Sequence, residues 1–578
     1  MALALLLLLG QFGSGLFPES PATEDDAAIQ EQVERLLEQQ IDLNRASATD
    51  LLAIPWLNPS LAYRIVAARD SAGGLTSVEQ LRQIPGMTAE TFDGIRPFLR
   101  IGVGQRLPGV GLLARAATDS VQAGTTELRM LNRLDFQSGQ VRVTALTEKD
   151  AGEASVFDFI SAAKELRIGR TRGVLGDFTA GFGQGLVFSA PHWRSSLLDG
   201  PGRSNQSIRL LSSPVEGSYL RGGAFEATAG RWNGLVLGSY TGRDARLNAD
   251  GTVERLVGSG VHDDSAALAG WNAVREATAG FCAGYRGNQA GVGLSAGYSR
   301  YNRTFAPAGS VSSFAGNELF AAGVNAGCRL EHYELGAEMA GSSGRGLAGA
   351  FEMTGGWTAV DARVSLRGRQ SRFFAPHGRW SSLTGTRDRL DASTRLGWHR
   401  AGSSVSVSGN TYRDFELDSV PARLELRLGQ EIGKLDLALA MGLRYEAEQE
   451  PRRTAKAEVG VRLAPGTRAR VVLADVYPEK STSRGTMAAL LLAHGLGSAD
   501  MGVTAARTAI DGTGVTMYVP EPGAGRIGSS FSSSVSCWRL AAGYGVRIAR
   551  RFHLGLKAGC NWKPQAVFDG AAQLELNS

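Results

Sequence analysis

The feature that most constrains this fold is a period-two alternation of apolar and polar side chains. It is clearest between Pro421 and Asp475. One run places Leu435, Leu437, Leu439, Met441, Leu443 and Tyr445 on one face and Asp436, Ala438, Ala440, Gly442, Arg444 and Glu446 on the other. Successive side chains of a β-strand point to opposite sides, so the pattern predicts strands with one apolar face. The other face carries charges and cannot be a packed core, so it must meet water outside the protein or inside a channel.

The same alternation recurs through most of residues 126–578. The runs are about 9 to 11 residues long, the length that a tilted strand needs to cross a membrane. Roughly 450 residues at about 20 per strand and turn predict on the order of 20 to 24 strands, and closure into a barrel removes the sheet edges. A propeller would show a repeat of about 40 to 50 residues, and none is found. We therefore predict a mostly β protein, with a large antiparallel outer-membrane β-barrel whose apolar stripes face lipid and whose charged faces look inward.

Glycine and charge refine this prediction. The 75 glycines among 578 residues suit crowded or bent wall strands, and the glycine-rich stretch 173–188 is predicted to be such a bent strand. The formal net charge of +5 is spread along the chain, which gives little support to nucleic-acid binding. The spacing of the four cysteines indicates neither a disulfide framework nor a metal cluster.

The N-terminal part divides into short units. Residues 1–15 have the apolar core and small residues of a signal peptide, and residues 16–40 form a linker and an amphipathic helix. Residues 41–100 form a helical domain, and residues 101–578 form the transmembrane barrel. The helical domain contains two similar halves, because a turn at Ile54-Pro-Trp-Leu-Asn58 is echoed at Ile84-Pro-Gly-Met-Thr88.

This domain resembles tandem helix-hairpin-helix domains of the competence DNA-receptor type. The resemblance lies in Ile41-Asp-Leu-Asn-x-Ala-Ser47, Leu51-Leu52, Tyr63-Arg64-Ile65 and Leu75-Thr-Ser-Val-Glu79-x-Leu81. It implies that two hairpins present backbone N–H groups to DNA phosphates. The candidate nucleic-acid-binding residues would then be Trp56, Leu57, Asn58, Gly86, Met87 and Thr88. The first hairpin departs from the family, with Trp56 and Asn58 in place of its two glycines, and the second has Thr88 in place of one.

The charge balance of residues 41–100 favours a role other than DNA binding. Six arginines are balanced by six acidic residues, whereas a duplex-binding module normally carries a basic footprint. A protein-docking or barrel-plugging module is the alternative. The whole architecture resembles bacterial outer-membrane proteins that carry a helix-hairpin-helix domain, an impression strengthened by Gly176-Asp177-Phe178 and Tyr219-Leu220-Arg221-Gly222.

No motif for catalysis is found. The seven histidines are scattered without metal-ligand spacing, and no phosphate-binding loop is present. We therefore predict no enzyme activity, no catalytic or metal residues and no cofactor. The predicted function is an outer-membrane channel or scaffold with a periplasmic helix-hairpin-helix module for docking or plugging; the alternative is a DNA-binding or DNA-uptake component. The expected partners are outer-membrane lipid and, as open alternatives, a periplasmic protein or DNA.

Overall fold

The structure is a computed structural model. It describes residues 41–577 except 45, 47–50, 52, 53, 55, 56, 58, 86, 88–91, 93, 94, 102–108, 123, 124, 151–158, 190–207, 212–218, 259, 261, 263, 264, 288, 308, 310, 311, 331, 358, 401, 416–419, 446–450, 465, 479–482, 497, 513, 514, 516, 522–529, 549–551 and 563–565. The predicted signal peptide and the amphipathic helix before residue 41 lie outside the described residues.

The N-terminal module has its own small core. Helix α1 (Pro59–Ser71) is followed by two 3-10 helices, Val78–Gln83 and Arg96–Phe98. Two short parallel strands, β1 (Ile41–Asp42) and β2 (Leu99–Arg100), bring the ends of the module together. Apolar side chains spaced along the module are almost fully buried against one another: Leu43, Leu51, Ile54, Leu57, Leu61, Ile65, Leu81, Phe92, Ile95 and Phe98. Within the described residues, no helix is long and apolar enough to cross a bilayer.

The rest of the described chain forms a closed antiparallel barrel of 24 strands, which confirms the predicted architecture. The first half of the wall comprises β3 (Gly109–Gln122), β4 (Thr125–Ser138), β5 (Val141–Lys149), β6 (Phe159–Ile168), β7 (Thr171–Ala180), β9 (Leu220–Ala229), β10 (Trp232–Arg243), β13 (Val274–Arg286), β14 (Ala290–Phe305), β15 (Gly316–Arg329), β16 (Tyr333–Ser342) and β17 (Leu347–Gly356). The second half comprises β18 (Val360–Arg369), β19 (Arg389–Arg400), β20 (Ser403–Asp414), β21 (Ala422–Ile432), β22 (Leu435–Tyr445), β23 (Arg452–Ala464), β24 (Thr467–Pro478), β25 (Arg484–Leu496), β26 (Ala499–Asp511), β29 (Cys537–Ile548), β30 (Phe552–Trp562) and β31 (Ala566–Asn577). The last strand pairs with the first, with Asn577 opposite Gly111, and this pairing closes the wall.

Smaller elements lie in the connections between wall strands. They are β8 (Ile208–Leu210), β11 (Ala245–Leu247), β12 (Val253–Leu256), helix α2 (Ser265–Gly270) and the hairpin β27 (Met517–Pro520) with β28 (Ser530–Ser533). The hairpin forms a separate two-stranded sheet and is not part of the wall.

The alternation predicted from the sequence sets which side chains face lipid. Outward-facing residues such as Val236, Phe281, Met441 and Leu556 are large, apolar and exposed. Aromatic pairs stand at one rim, where Trp232 packs against Tyr285 and Tyr333 packs against Trp357. Exposed Tyr445 and Trp562 end their strands at the opposite rim. Apolar flanks bounded by aromatic girdles are the surface of a transmembrane barrel, so the predicted orientation of the stripes is confirmed.

The two ends of the barrel differ. At the end where β3 begins and β31 ends, every connection between consecutive wall strands is two or three residues long, as at residues 139–140 and 433–434. The longest connections all lie at the opposite end: residues 181–219, 244–273, 370–388 and 512–536. Parts of three of them fold into the lumen.

Candidate functional site in the barrel lumen

The lumen of the barrel is filled unevenly. On β16–β18 the inward side chains are buried, including Glu338, Glu352 and Arg367. On β21–β24 many inward charged side chains are partly exposed; Arg427 and Arg462, for example, are 40% and 38% exposed. One side of the interior is therefore packed with protein, and the other meets solvent.

Residues 181–189, the first insert, form a compact loop against the inner wall. The N–H of Phe182 donates to the carbonyl of Phe188 at 3.1 Å, which closes the loop on itself. The buried carboxylate of Glu338 on β16 accepts hydrogen bonds from the backbone N–H groups of Gln184 and Leu186. The two N–H donors and the carboxylate oxygen that accepts from them would otherwise be buried without partners. These hydrogen bonds fix the loop to the wall.

Glycines on the inward face of the wall make room for the first insert. A Cβ atom at Gly280 on β13 would lie 2.6 Å from the ring of Phe188, and one at Gly297 on β14 would lie 2.9 Å from it. A Cβ at Gly293 would lie 2.9 Å from the ring of Phe182. These distances are shorter than van der Waals contact, so only glycine allows the two aromatic rings to reach the wall.

Residues 370–388, the second insert, pack on the first. The N–H of Ser189 donates to the carbonyl of His377 at 2.7 Å, and the N–H of Arg379 donates to the carbonyl of Gly185 at 2.8 Å. The ring of His377 also stacks on Phe188, with centroids 6.3 Å apart. The two inserts therefore form one unit inside the barrel.

A buried polar network ties the second insert to the wall. Nε2 of His377 lies 3.1 Å from Oε1 of Glu276 on β13 and 3.1 Å from Oγ1 of Thr278. The same carboxylate accepts from Nε of Arg243 at 2.8 Å and from the hydroxyl of Tyr301 at 3.0 Å. Each oxygen of Glu276 thus has partners, as a buried carboxylate requires.

The hairpin formed by β27 and β28, with the residues around it, is the third insert (residues 515–533). Its Val515, Met517 and Val519 are buried in a cluster with inward residues of the wall: Val472, Ala474, Val476, Met487, Ala489, Leu491 and Ala506. Glu521 forms ion pairs with Arg539 and Lys557 at 2.5 Å each. The prediction that inward faces are polar is wrong on β24 and β25, because this hairpin covers an apolar patch of the inner wall.

The N-terminal module also contacts the wall of the barrel. Cα atoms of α1 lie within 8 Å of Cα atoms of β17 and β18. The outward residues Phe351, Val360 and Leu366 of these strands are exposed, whereas the inward Thr354 and Ser365 are 1% exposed. Whatever covers these strands therefore lies on their inner side, and α1 packs against the lumenal face of the wall. Burial lowers the pKa of the Arg64 guanidinium on this helix.

The candidate residues in the two hairpins are only partly described. Leu57 and Met87 occupy equivalent turns, since their N–H groups donate to the carbonyls of Ile54 and Ile84 at 3.1 and 3.0 Å. The side chain of Leu57 is buried in the core of the module and that of Met87 packs on it. Trp56, Asn58, Gly86 and Thr88 lie outside the described residues. The structure thus shows two matched turns, one in each half of the module.

Two motifs noted in the sequence meet in the wall. Gly176 on β7 is the cross-strand partner of Gly222 on β9, and Arg221 donates to both carboxylate oxygens of Asp177 at 2.7 and 2.9 Å. The predicted strand over 173–188 is only partly correct, because the strand ends at Ala180 and the rest is the first insert. Sequence reasoning missed the three inserts. The available signals were glycines on inward faces and the runs at 471–474 and 487–493, which are apolar on both faces.

Comparisons with known proteins agree with this division of the chain. A family model described as "Helix-hairpin-helix motif" matches residues 38–100. Over 184 residues the chain is 27% identical to an uncharacterized protein of Neisseria meningitidis, covering 31% of this chain and 23% of the relative. Over 158 residues it is 28% identical to the transcriptional accessory protein Tex of Neisseria gonorrhoeae, covering 26% of this chain and 20% of the relative. The chain thus spans about a quarter or less of the curated relatives that it matches.

Several solved structures show a likeness to this chain at low sequence identity. The translocation pore of the P pilus usher PapC has 11% sequence identity and a TM-score of 0.43, over 82% of this chain and 99% of that chain. A mutant ferric enterobactin receptor PfeA of Pseudomonas aeruginosa has 8% identity and a TM-score of 0.41, over 83% of this chain and 81% of that chain. The chain carries a helix-hairpin-helix motif at residues 38–100 followed by a porin-like, outer-membrane-type β-barrel of 24 strands.

Proposed function

We propose that this protein is a gated channel of the outer membrane, with its N-terminal module seated in the lumen as a plug. The observation that carries the proposal is the packing of α1 against the inner side of β17 and β18. A barrel of 24 strands is wide enough to leave an aqueous channel or to hold a plug, because diameter grows with strand number.

The difference in connection length between the two ends of the barrel supports an orientation of the protein in the membrane. Outer-membrane barrels have short turns on the periplasmic side and longer loops on the outer side. The module precedes β3, which begins at the short-turn end. We therefore propose that the module enters from the periplasm, while the loop inserts close the lumen from outside. Movement of the plug would open the solvent-lined side of the interior.

Ion conductance in planar bilayers tests this function. A variant without residues 41–100 should conduct several-fold more than the full chain, because removal of the module uncovers the lumen. A variant without residues 20–35 serves as the matched control and should conduct like the full chain. Heat-modifiable gel migration would establish that each barrel is folded. Equal conductance of all three proteins would contradict plugging, and recovery of the protein in the aqueous periplasmic fraction would contradict a membrane barrel.

DNA binding by the module is the second candidate function. The match to a helix-hairpin-helix motif and the two equivalent turns favour it. The balanced charge of residues 41–100 does not supply a basic footprint. A titration of the full chain in detergent with duplex DNA tests this candidate. Binding to phosphates must strengthen as the salt concentration falls. Failure to bind at low salt would eliminate this candidate.

A further inference from the structure

We infer that the barrel wall opens sideways between β6 and β7, so that amphiphiles with a hydrocarbon chain pass between the lumen and the outer leaflet of the membrane. We call this place the β6–β7 seam, and it comprises residues 159–162 of β6 and 177–180 of β7. The inference rests on the proposed channel function, because the lumen is the other end of this path.

The hydrogen-bonded ladder between β6 and β7 stops partway along the wall. It contains six residue pairs, from Ile168 opposite Thr171 to Ala163 opposite Gly176, whereas the ladders β5–β6, β7–β9 and β9–β10 contain eight each. Residues 159–162 pair with β5 on one side, and no described strand pairs with them on the other. The unpaired edge is about 13 Å long at 3.3 Å per residue. A closed barrel normally has no such edge facing lipid.

Two glycines mark the level at which the seam begins. Gly176 has a φ of 104°, a conformation that favours glycine, and a Cβ atom there would lie 2.1 Å from the carbonyl oxygen of Ala162 on β6. Gly222, its cross-strand partner on β9, comes equally close to β10, because a Cβ atom there would lie 2.2 Å from a carbonyl oxygen of that strand. The outer halves of β7 and β9 therefore leave the regular ladder of the wall together.

The side chain of Arg221 on β9 bridges the seam. Its guanidinium donates to both carboxylate oxygens of Asp177 on β7, and Nη2 also donates to the carbonyl of Ile160 on β6 at 2.9 Å. Its backbone N–H donates to the hydroxyl of Ser239 on β10 at 3.0 Å. Arg221 shares the outward face of β9 with the exposed Phe225, and its side chain is 48% exposed. One residue on the membrane side thus links four strands where backbone pairing is missing.

The lumenal side of the seam is lined by apolar side chains. A buried cluster packs there, formed by Leu146, Phe159, Leu211 and Tyr219. The rings of Phe159 and Tyr219 meet edge to face with centroids 5.5 Å apart and close the seam from inside. On the membrane side, Ile160 and Leu175 are 58% and 67% exposed. A hydrocarbon chain would therefore find apolar surface on both sides of the seam.

The outer halves of β7, β8 and β9 form a unit that is separate from β6. Residues 178–180 pair with β8 on the edge opposite β9, where β6 would otherwise pair. Movement of this unit away from β6 breaks the hydrogen bond of Arg221 to Ile160 and the contact of Phe159 with Tyr219. Among the described residues it breaks no backbone ladder pair between β6 and β7 beyond Ala163. Side chains alone therefore hold the seam closed.

Photo-cross-linking to a lipid-soluble probe tests the inference. The photoreactive residue p-benzoylphenylalanine replaces Phe159 in the full chain, which is reconstituted into dioleoylphosphatidylcholine vesicles that contain radiolabelled oleate. After illumination, oleate should label this position more than the same residue placed at Phe305, which is buried on the inward face of β14. Replacement of Phe281, which is exposed on the outward face of β13, shows the labelling of a position in full contact with lipid.

Removal of the bridge should increase labelling at position 159. The variants R221A and R221K should raise it several-fold, because alanine makes none of these contacts and lysine cannot reproduce the forked contacts of a guanidinium. The control R484A removes another exposed arginine, which donates to both carboxylate oxygens of Asp475 across the intact β24–β25 ladder. It should leave the labelling at position 159 unchanged.

Heat-modifiable gel migration would establish that each variant is folded. Labelling at position 159 no higher than at position 305 in the folded variants, or an equal rise in R484A, would overturn the sideways opening. Labelling at position 159 in a barrel that never conducts ions would support the sideways opening and contradict the channel function. Ion conductance without labelling would contradict the sideways opening alone.

Discussion

At the residue scale, the inward glycines explain how a barrel wall can hold an aromatic loop. Gly280 and Gly297 lie opposite each other on β13 and β14, and both face the ring of Phe188. The sequence shows that glycine is abundant, but it does not show which glycines make room for a loop. A glycine on an inward face has the same sequence signature whether it bends a strand or admits a loop.

Substitution of Gly280 by valine should displace the first insert. The added side chain would overlap the Phe188 ring, and such overpacking typically costs about 1–3 kcal/mol. The expected result is faster hydrogen exchange of the amides of residues 181–189. Gly238, whose Cβ position is open, provides the control G238V, which should leave exchange unchanged. Equal exchange in both variants would mean that Phe188 does not occupy this position.

Replacement of Glu338 by alanine should loosen the same loop by a different route. The backbone N–H groups of Gln184 and Leu186 would lose their acceptor, and an unsatisfied buried donor costs about 1–3 kcal/mol. We expect protease cleavage within 181–189 to accelerate in E338A but not in E318A, since Glu318 is half exposed at the barrel surface. Resistance of E338A comparable to that of the native chain would argue against this attachment.

At the scale of elements, the wall was predictable and the inserts were not. Period-two alternation is a local property, so runs such as 435–445 identify strands and their faces without knowledge of the partners. Whether a connection between strands folds inward depends on the space inside the closed barrel. That space is set by all the strands together and cannot be predicted from the sequence of one segment. The runs at 471–474 and 487–493 are apolar on both faces, and they are local signs that protein covers the inner side of these strands.

The first and second inserts should depend on each other. They share two backbone hydrogen bonds and the stacking of His377 on Phe188. Replacement of residues 372–386 by a short Gly-Ser linker should therefore raise hydrogen exchange in residues 181–189 as well. A similar replacement of residues 258–268, in another connection, is the control and should not affect them. Full protection of 181–189 after loss of the second insert would show that the first is held by the wall alone.

At the scale of the whole molecule, a closed barrel holds folded loops in its lumen, and helix α1 of the helical module contacts its strands β17 and β18. The existence of both units followed from the sequence, because the strand pattern and the helix-hairpin-helix motif are independent signals. Their relative placement did not, since residues 59–71 read as an ordinary helix that gives no indication of its partner. The structure supplies the contact with β17 and β18 from which the plugging function is proposed.

The most direct test of this placement is a distance measured by electron paramagnetic resonance in the full chain in lipid. Spin labels would be attached at Ala67 on α1 and Phe351 on β17, after replacement of Cys282, Cys328, Cys537 and Cys560 by alanine. Helix α1 is about 20 Å long and touches β17, so a narrow distribution below about 30 Å is predicted. A module held only by residues 101–108 could move by up to about 28 Å from the rim. A broad distribution that extends beyond about 40 Å would contradict a module seated in the lumen.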